Sequence, residues 1–141
     1  MNLRDSSMKM SKSSRSDFSR INLLDAPDLI HKKITKSKTD SIPEVTYDES
    51  RPELANLIRI YSEIKGIEVD SLMEKNDWVS VVDFKKDLYE TVVAELSPIR
   101  ERALELVDST ELQRSLDEST ERARSLASET LKEVNKLVGL S

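Results

Sequence analysis

The sequence predicts an all-helical fold: a helical bundle preceded by a loop segment. The 141 residues include only two glycines, and 35% of the residues are charged. Apolar residues recur at spacings of three and four along most of the chain, which is the period of an amphipathic helix. There is no cysteine, so disulfides are excluded. No run of about 20 apolar residues exists that would predict a transmembrane helix, and no apolar signal core is seen at the N-terminus.

The first two helices are predicted from their start and stop signals. Residues up to about 24 are expected to form a loop, after which Asp25 is a candidate N-cap with Pro27 in the first turn. This helix should end near Ser37. Residues 50–53 predict a capping box that opens the second helix, which Gly66 should end. The buried stripe predicted for the second helix is Leu54, Leu57, Ile58, Tyr61 and Ile64.

A short helical element and then a long helix are expected next. The short element contains Leu72 and Met73, and the long helix should run from about residue 81 to residue 107. Pro98 removes a backbone donor and clashes with the preceding turn, so we expect a kink near Ala94 or a break between two helices. The predicted continuous face is Phe84, Leu88, Val92, Leu96, Ile99, Ala103 and Leu106.

The final helix is expected to end at Gly139, with Asp108 and Glu111 at its N-terminal cap. Packing of helical hairpins through the apolar stripes would give an α-bundle. The stripe predicted for the final helix is Leu112, Leu116, Ala123, Leu126, Leu131, Val134 and Val138.

The pentapeptide Lys9-Met10-Ser11-Lys12-Ser13 is the strongest chemical signal in the sequence. Two lysines three residues apart, with hydroxyls between and beside them, can follow phosphoryl oxygens as negative charge moves onto a leaving pyrophosphate. The pattern therefore predicts ATP chemistry. A solvated, flexible tail is the alternative interpretation of a Lys- and Ser-rich segment near a chain start.

These five residues match the Lys-Met-Ser-Lys-Ser signature of class I aminoacyl-tRNA synthetases, and the residues around them resemble the tryptophanyl-tRNA synthetase family of the bacterial and mitochondrial type. The resemblance covers nearly the whole chain. Its further elements are Leu3-Arg4-Asp5, Ser19-Arg20-Ile21-Asn22-Leu23, Asp25-Ala26-Pro27, Lys38-Thr39-Asp40-Ser41, Val45-Thr46-Tyr47-Asp48, Arg51-Pro52, Asn56-Leu57, Ile60-Tyr61 and Lys136-Leu137-Val138-Gly139.

The resemblance implies a tryptophan–tRNA ligase that uses ATP, with Mg²⁺ bound to the ATP, and no metal site of its own in this chain. Lys9 and Lys12 are the implied catalytic residues, Ser11 and Ser13 would donate hydrogen bonds to the phosphates, and Met10 would anchor the loop. The implied partners are tryptophan, tRNA(Trp) and a second copy in a homodimer, with no membrane. The implied location is the mitochondrial matrix, with a bacterial-type cytoplasm as the alternative.

The resemblance also implies a domain division. Residues 1–24 would be the signature loop segment at the end of the catalytic domain, and residues 25–141 would be a helical domain similar to an anticodon-binding domain. The Rossmann-type catalytic domain itself is missing, because two glycines cannot form its Gly-rich turn and no His-Ile-Gly-His element is present. We therefore expect the C-terminal part of a longer enzyme, inactive alone.

The sequence departs from the family at one position in the loop. Ser14 and Arg15 stand where the family usually has Asp, often followed by Pro. The loop thus lacks a local anion that would cap or orient it. A non-catalytic helical module that binds tRNA or a protein, derived from such a synthetase, is the alternative function.

Charge is unevenly distributed: residues 1–38 carry a net charge of +5 and residues 39–141 a net charge of −10. The basic segment suits ATP and the phosphates of tRNA. His31 is expected at a helix surface. Trp78 is either a platform for an anticodon base or a plug at the edge of the core. The bundle has two small basic clusters, which are weak candidates for contacts with tRNA. They are Lys85 with Lys86, and Arg100 with Arg102.

Overall fold

A computed structural model describes residues 1–107 and 109–140 of the chain. Within these ranges there is no β-strand, and the predicted all-helical class is confirmed. A 3-10 turn, Asp17–Ser19, precedes the α-helices. The helices are α1 (Pro27–Thr35), α2 (Pro52–Lys65), α3 (Val69–Lys75), α4 (Val81–Val107) and α5 (Thr110–Val138).

The chain divides into two compact units, Met1–Glu101 and Arg102–Ser141. The first unit holds the hydrophobic core. The predicted stripe of α2 is buried from Leu54 to Tyr61 and partly buried at Ile64, and the first half of the α4 face is buried. The predicted domain boundary after residue 24 lies inside this unit and remains a prediction. The buried apolar side chains of the core are Leu3, Ile30, Ile34, Leu54, Leu57, Ile58, Tyr61, Leu72, Val81, Phe84, Leu88 and Val92.

Helix α1 begins as predicted at a proline, but its cap is different. The N-cap is Ala26, with Pro27 in the first turn and no capping side chain. Asp25 does not cap the helix, because its buried carboxylate is bonded to Lys33, two turns into α1. The prediction of Asp25 as N-cap was therefore wrong.

Helix α2 also begins at its predicted proline, Pro52, without the predicted capping box. Arg51 is the N-cap residue and makes no side-chain cap bond. Glu53, the expected second member of the box, accepts a hydrogen bond from Lys38 at 2.6 Å instead. In both helices a side chain proposed as a cap has been drawn into an ion pair.

The C-terminal ends of α2 and α5 follow the prediction. Gly66 and Gly139 are the C-caps, with φ values of 63° and 74°. This left-handed conformation favours glycine because it has no Cβ.

Helix α4 is continuous from Val81 to Val107 with Pro98 inside it. Of the two alternatives predicted for Pro98, the break does not occur, and the kink near Ala94 remains a prediction. The first part of its apolar face is buried as far as Val92. Beyond that point the face is only partly covered, and Ile99 is 46% exposed.

In the second unit the N-cap of α5 is Ser109, whose hydroxyl accepts a hydrogen bond from the Leu112 N–H at 3.2 Å. Glu111 takes no part in the cap and instead accepts from Arg102. Asp108, the other predicted cap residue, lies outside the described residues.

The apolar stripe of α5 is present, but none of the side chains of this helix is buried. The second unit by itself does not cover this stripe, and the packing of the final helix through it remains a prediction. Its leucines remain exposed, with Leu126 at 70%. Among the described residues, no helix combines the length and the apolar character that a membrane span requires.

Candidate phosphate-binding loop

The pentapeptide of residues 9–13 forms a surface loop in the first unit. Lys9, Lys12 and Ser13 are exposed, whereas Met10 and Ser11 are half-buried. Met10 packs against the hydrophobic core. The two lysines therefore extend from a backbone that is fixed between them by an apolar contact.

The loop contains its own turn and a pair of hydroxyls. The Ser14 N–H donates to the Ser11 carbonyl at 3.2 Å, which closes the turn. The Ser11 and Ser13 hydroxyls lie 3.0 Å apart, and either one can be the donor. One of the two hydroxyl protons thus remains available for a ligand. In the described part of the chain, neither Lys9 nor Lys12 is paired with a carboxylate.

Lys12 borders a shallow depression of about 380 Å³. The basic side of the depression is formed by Lys12 and Arg20, and its apolar side by leucines that follow the loop. The lining residues are Met10, Ser11, Lys12, Arg20, Ile21, Asn22, Leu23 and Leu24.

The base of the loop is tied to the core by backbone hydrogen bonds. The Asn2 N–H donates to the Met8 carbonyl at 2.8 Å, and the Leu3 N–H donates to the Ser19 carbonyl at 2.9 Å. The Leu3 carbonyl in turn accepts from the Lys38 N–H at 2.9 Å. Leu3 is itself only 3% exposed. The backbone at this buried residue therefore joins the start of the loop segment to its end at Ser19 and to Lys38, which follows α1.

Arg20 holds the loop from its C-terminal side. One guanidinium nitrogen, Nη1, lies 3.3 Å from the Ser11 carbonyl and 3.5 Å from the Ser14 carbonyl. Nε donates to Asn22 at 3.0 Å, and Nη2 lies 3.0 Å from an Asp17 carboxylate oxygen. The loop that lacks a carboxylate at position 14 is thus shaped by a cation that binds its backbone carbonyls.

Behind Arg20 lies a buried lysine between two carboxylates. Lys33 is 0% exposed, and its Nζ is 2.6 Å from Asp25 and 2.7 Å from Asp17. The hydrogen bond from Lys33, assisted by one from Asn22, lowers the pKa of Asp17. Burial acts to raise the pKa of Asp25, but the bonds from Lys33 and Asn22 outweigh it, so the pKa of Asp25 is also lowered.

Neither Arg20 nor Lys33 was predicted from the sequence as part of this site. Lys33 lies three residues after Ile30 and directly before Ile34, on the buried face of α1. A cation at an inward position of an apolar face is the signal that could have identified it, because a buried charge requires a partner.

The aromatic and histidine candidates have structural surroundings. Trp78 packs edge-on against Phe84, with ring centroids 5.0 Å apart, and its indole N–H donates to Asp87 at 2.9 Å. This confirms the interpretation of Trp78 as a plug at the edge of the core. His31 is exposed on α1, as expected, and its ring lies 4.8 Å from that of Tyr89.

The basic residues of α4 are largely engaged by the chain itself. Lys85 donates to the Ser37 carbonyl at 2.8 Å near the end of α1, and burial lowers its pKa. Arg100 lies 3.4 Å from the Leu24 carbonyl. Arg102, in the second unit, is paired with Glu105 and Glu111. Lys86 is the most exposed of the four, at 72%, with Glu90 at 4.0 Å.

The linker between α1 and α2 is fixed by Arg51. Its Nε and Nη2 each lie 2.8 Å from one oxygen of Asp40. The hydrogen bonds from Arg51 are the main reason that the pKa of Asp40 falls to about 2. Two of the elements that carry the family resemblance, around Asp40 and around Arg51, are thereby joined into one structure.

A metal site was not predicted for this chain. Across residues 1–107 and 109–140 there is no group of three or more His, Cys, Asp or Glu side chains placed to hold a metal ion.

Comparison with protein families places the chain in one class. The family model described as tRNA synthetases class I (W and Y) matches residues 1–97, which include the loop and most of α4. The chain therefore belongs to the class I tRNA synthetase family of the tryptophan and tyrosine enzymes.

Individual relatives place it with the tryptophan enzymes of that family, so the resemblance to tryptophanyl-tRNA synthetase is confirmed. The chain is 45% identical to a tryptophan–tRNA ligase of Rickettsia bellii, with 99% of the chain and 42% of the ligase aligned. It is 41% identical to the tryptophan–tRNA ligase of Bacillus subtilis, with 99% of the chain and 43% of that protein aligned. The chain thus spans less than half the length of these relatives.

A solved structure shows the same similarity. The crystal structure of tryptophanyl-tRNA synthetase from Mycoplasma pneumoniae matches 100% of this chain and 45% of its own, with a TM-score of 0.71 and 28% identity. The relatives named here are bacterial, so they do not support the predicted mitochondrial location.

Proposed function

We propose that this chain supplies the ATP-phosphate loop and the helical domain of a tryptophan–tRNA ligase, which activates tryptophan with ATP and transfers it to tRNA(Trp). The observation that carries the proposal is the loop itself. Lys9 and Lys12 are exposed on an anchored backbone, without carboxylate partners in the described residues, in a chain similar to tryptophan–tRNA ligases over nearly its whole length.

In this proposal the substrate is ATP with its Mg²⁺, and the chain's own groups act on the phosphates. The ammonium groups of Lys9 and Lys12 offset the negative charge that grows on the pyrophosphate as it leaves. The free hydroxyl proton of the Ser11–Ser13 pair donates to a phosphate oxygen. Met10, in contact with the core, limits how far the loop moves.

We further propose that residues 25–141 serve the tRNA, while residues 1–24 serve the ATP. The net charge of +5 over residues 1–38 favours phosphate groups near the loop. A homodimer is proposed from the family alone. On α4, Lys86 is the basic residue best placed to reach an RNA backbone, because Lys85 and Arg102 are engaged by acceptors within the chain.

A segment replacement tests the proposal. The matching segment of the Rickettsia bellii ligase is replaced by residues 1–141, and ATP–pyrophosphate exchange is measured with tryptophan present. We expect Lys12→Ala to slow exchange by about 100-fold, the scale of one lost group that stabilises developing charge. Lys32→Ala, an exposed lysine of α1, is the matched control and should leave the rate unchanged.

The alternative function, a non-catalytic module, gives the opposite result. A replacement ligase that folds and binds tryptophan, but exchanges pyrophosphate equally fast with Lys12 and with Lys12→Ala, would remove the loop from the chemistry. Ser14 is the feature that favours this alternative, because the usual Asp is missing there. Arg20 argues against it, since it supplies the loop with another means of orientation.

A further inference from the structure

Lys33 is a buried cation without a role in the loop chemistry described above. Its side chain is 0% exposed and lies on the face of α1 that also buries Ile30 and Ile34. Burial of a lysine carries a large desolvation cost, and an apolar residue of similar size at such a position is often as stable or more stable. The structure offsets that cost with two carboxylates, Asp25 at 2.6 Å and Asp17 at 2.7 Å.

Asp17 connects this buried charge to the surface. It lies in the 3-10 turn after the loop, and its side chain is 47% exposed. One carboxylate oxygen binds Lys33, and the other lies 3.0 Å from Arg20 and accepts from Asn22 at 3.2 Å. Each oxygen thus has its own cation, so the carboxylate fixes Arg20 relative to α1.

Arg20 carries the connection to the loop. Its guanidinium has five N–H donors, and the contacts to Ser11, Ser14, Asn22 and Asp17 engage all three of its nitrogens. A guanidinium with these contacts orients the groups that it binds, and it has few N–H donors left to bind a phosphate. Its contacts with the Ser11 and Ser14 carbonyls lie on either side of Lys12.

We propose that Lys33, Asp17 and Arg20 form a relay from α1 to residues 11–14, and that this relay holds Lys12 in position for the reaction. We refer to these three residues as the Lys33 relay. Lys33 is then a positioning residue: its ammonium group binds Asp17 and Asp25, and it acts on the loop through Asp17 and Arg20. The catalytic part of this inference rests on the proposed function, whereas the structural part does not.

The structural part is tested on the 141-residue chain by amide hydrogen exchange. The reporter is the Ser14 N–H, which closes the loop turn on Ser11, and the internal reference is the Lys38 N–H, bonded to Leu3 in the loop base. In Asp17→Asn we expect exchange at Ser14 to be at least about fivefold faster, as in a local opening, with Lys38 unchanged. Asp28→Asn, an exposed aspartate of α1, is the matched control and should leave both amides unchanged.

A second variant keeps this test decisive. Arg20→Gln removes the contacts to the two loop carbonyls without leaving a buried charge unpaired, since the partner Asp17 is itself partly exposed. It should speed exchange at Ser14 at least as much as Asp17→Asn does. Unchanged Ser14 exchange in both variants, with the fold intact, would overturn the relay.

The catalytic part is tested in the replacement ligase. Asp17→Asn should lower kcat for pyrophosphate exchange by about tenfold, with KM for tryptophan unchanged, because a misplaced loop loses contacts that matter in the transition state. Asp17→Glu should recover part of that loss, which a general loss of stability would not explain. A kcat equal to that of the unchanged replacement ligase would overturn the catalytic part.

The two proposals fail in different ways. If Lys12→Ala leaves the exchange reaction unaffected, the proposed function fails, while faster amide exchange at Ser14 in Asp17→Asn still supports the relay as a structural device. If Lys12→Ala is slow and Asp17→Asn is not, the proposed function stands and the Lys33 relay has no part in catalysis.

Discussion

Arg51 should contribute more to the stability of the first unit than any other single polar side chain of the linker between α1 and α2. Its side chain is 8% exposed and makes five hydrogen bonds. Two go to the carboxylate of Asp40, and the others go to the Glu44 carbonyl, the Thr46 hydroxyl and the Ile42 carbonyl. We expect Arg51→Met to release this whole linker from α2.

The magnitude follows from the exposure of the partners. Breaking a buried ion pair costs about 3–5 kcal/mol, but the side chain of Asp40 is 32% exposed and regains water when Arg51 is lost. We therefore expect about 2–3 kcal/mol for Arg51→Met. The fall of the Asp40 pKa from 3.8 to about 2 corresponds to about 2 kcal/mol. Solvent screening reduces this, so Asp40→Asn should cost about 1 kcal/mol.

Urea unfolding followed by Trp78 fluorescence measures this cost, because Trp78 lies in the first unit and packs on its core. The matched control is Lys38→Met, which breaks an exposed pair with Glu53 and should cost less than about 1 kcal/mol. If Arg51→Met destabilised the unit no more than Lys38→Met does, the linker would not be held by this guanidinium.

Three further outcomes are expected for the first unit. The pKa values of Asp25 and Asp40 are lowered in the folded chain, so both carboxylates stabilise the fold at a pH above their ordinary pKa of 3.8. This stabilisation is lost as the pH falls through the folded value, which is about 2 for Asp40. The urea concentration at the unfolding midpoint should therefore fall between about pH 5 and about pH 2, and it should fall less steeply in Asp40→Asn. Phe84→Ala, at a site with 0% exposure, should lower the free energy of unfolding in urea by about 3–5 kcal/mol. Val82→Ala is the exposed control, and a similar loss there would show that burial does not set the cost. Gly66→Ala should destabilise the fold by about 1 kcal/mol and lower the melting temperature, because a residue with a Cβ is strained at a φ of 63°. A steric clash is not the reason, since no other atom lies within 4 Å of the added Cβ. An unchanged melting temperature would contradict this conformational argument.

The helices were predictable because their signals are local. The α4 range, the glycine C-caps at Gly66 and Gly139, and the prolines that open α1 and α2 were each read from a few neighbouring residues. Pro98 does not break α4. A proline inside a helical pattern predicts a kink or a break without distinguishing the two, so the continuity of the helix could not be predicted from the sequence. The apolar stripe of α5 was also predictable, but periodicity indicates only that a face is apolar and does not identify what covers it.

The polar contacts were not predictable, because they join residues that are distant in sequence. Asp25 and Glu53 had the right spacing for caps, yet each is bonded to a lysine, Lys33 and Lys38 respectively. A long side chain with a strong cation competes well with a backbone N–H for a carboxylate. Arg51 reaches Asp40 across the linker for the same reason.

The candidate site also contains residues that could be predicted from a local signal and residues that could not. The loop residues Lys9 to Ser13 came from a contiguous motif, and the resemblance supplied their proposed roles. The parts that hold the loop, Arg20 and Lys33, have no motif, since their meaning depends on the three-dimensional position of Asp17. The sequence shows that Ser14 replaces the usual Asp, but it does not show that Arg20 orients the loop through the Ser11 and Ser14 carbonyls.

The most direct measurement of the central claim is the single-turnover rate of adenylate formation in the replacement ligase, with Lys12 and with Lys12→Ala, at saturating tryptophan and ATP. The account predicts that Lys12→Ala is slower by about 100-fold or more while the Kd for tryptophan is unchanged, because the lysine acts on the departing pyrophosphate. Equal rates in the two proteins would contradict it.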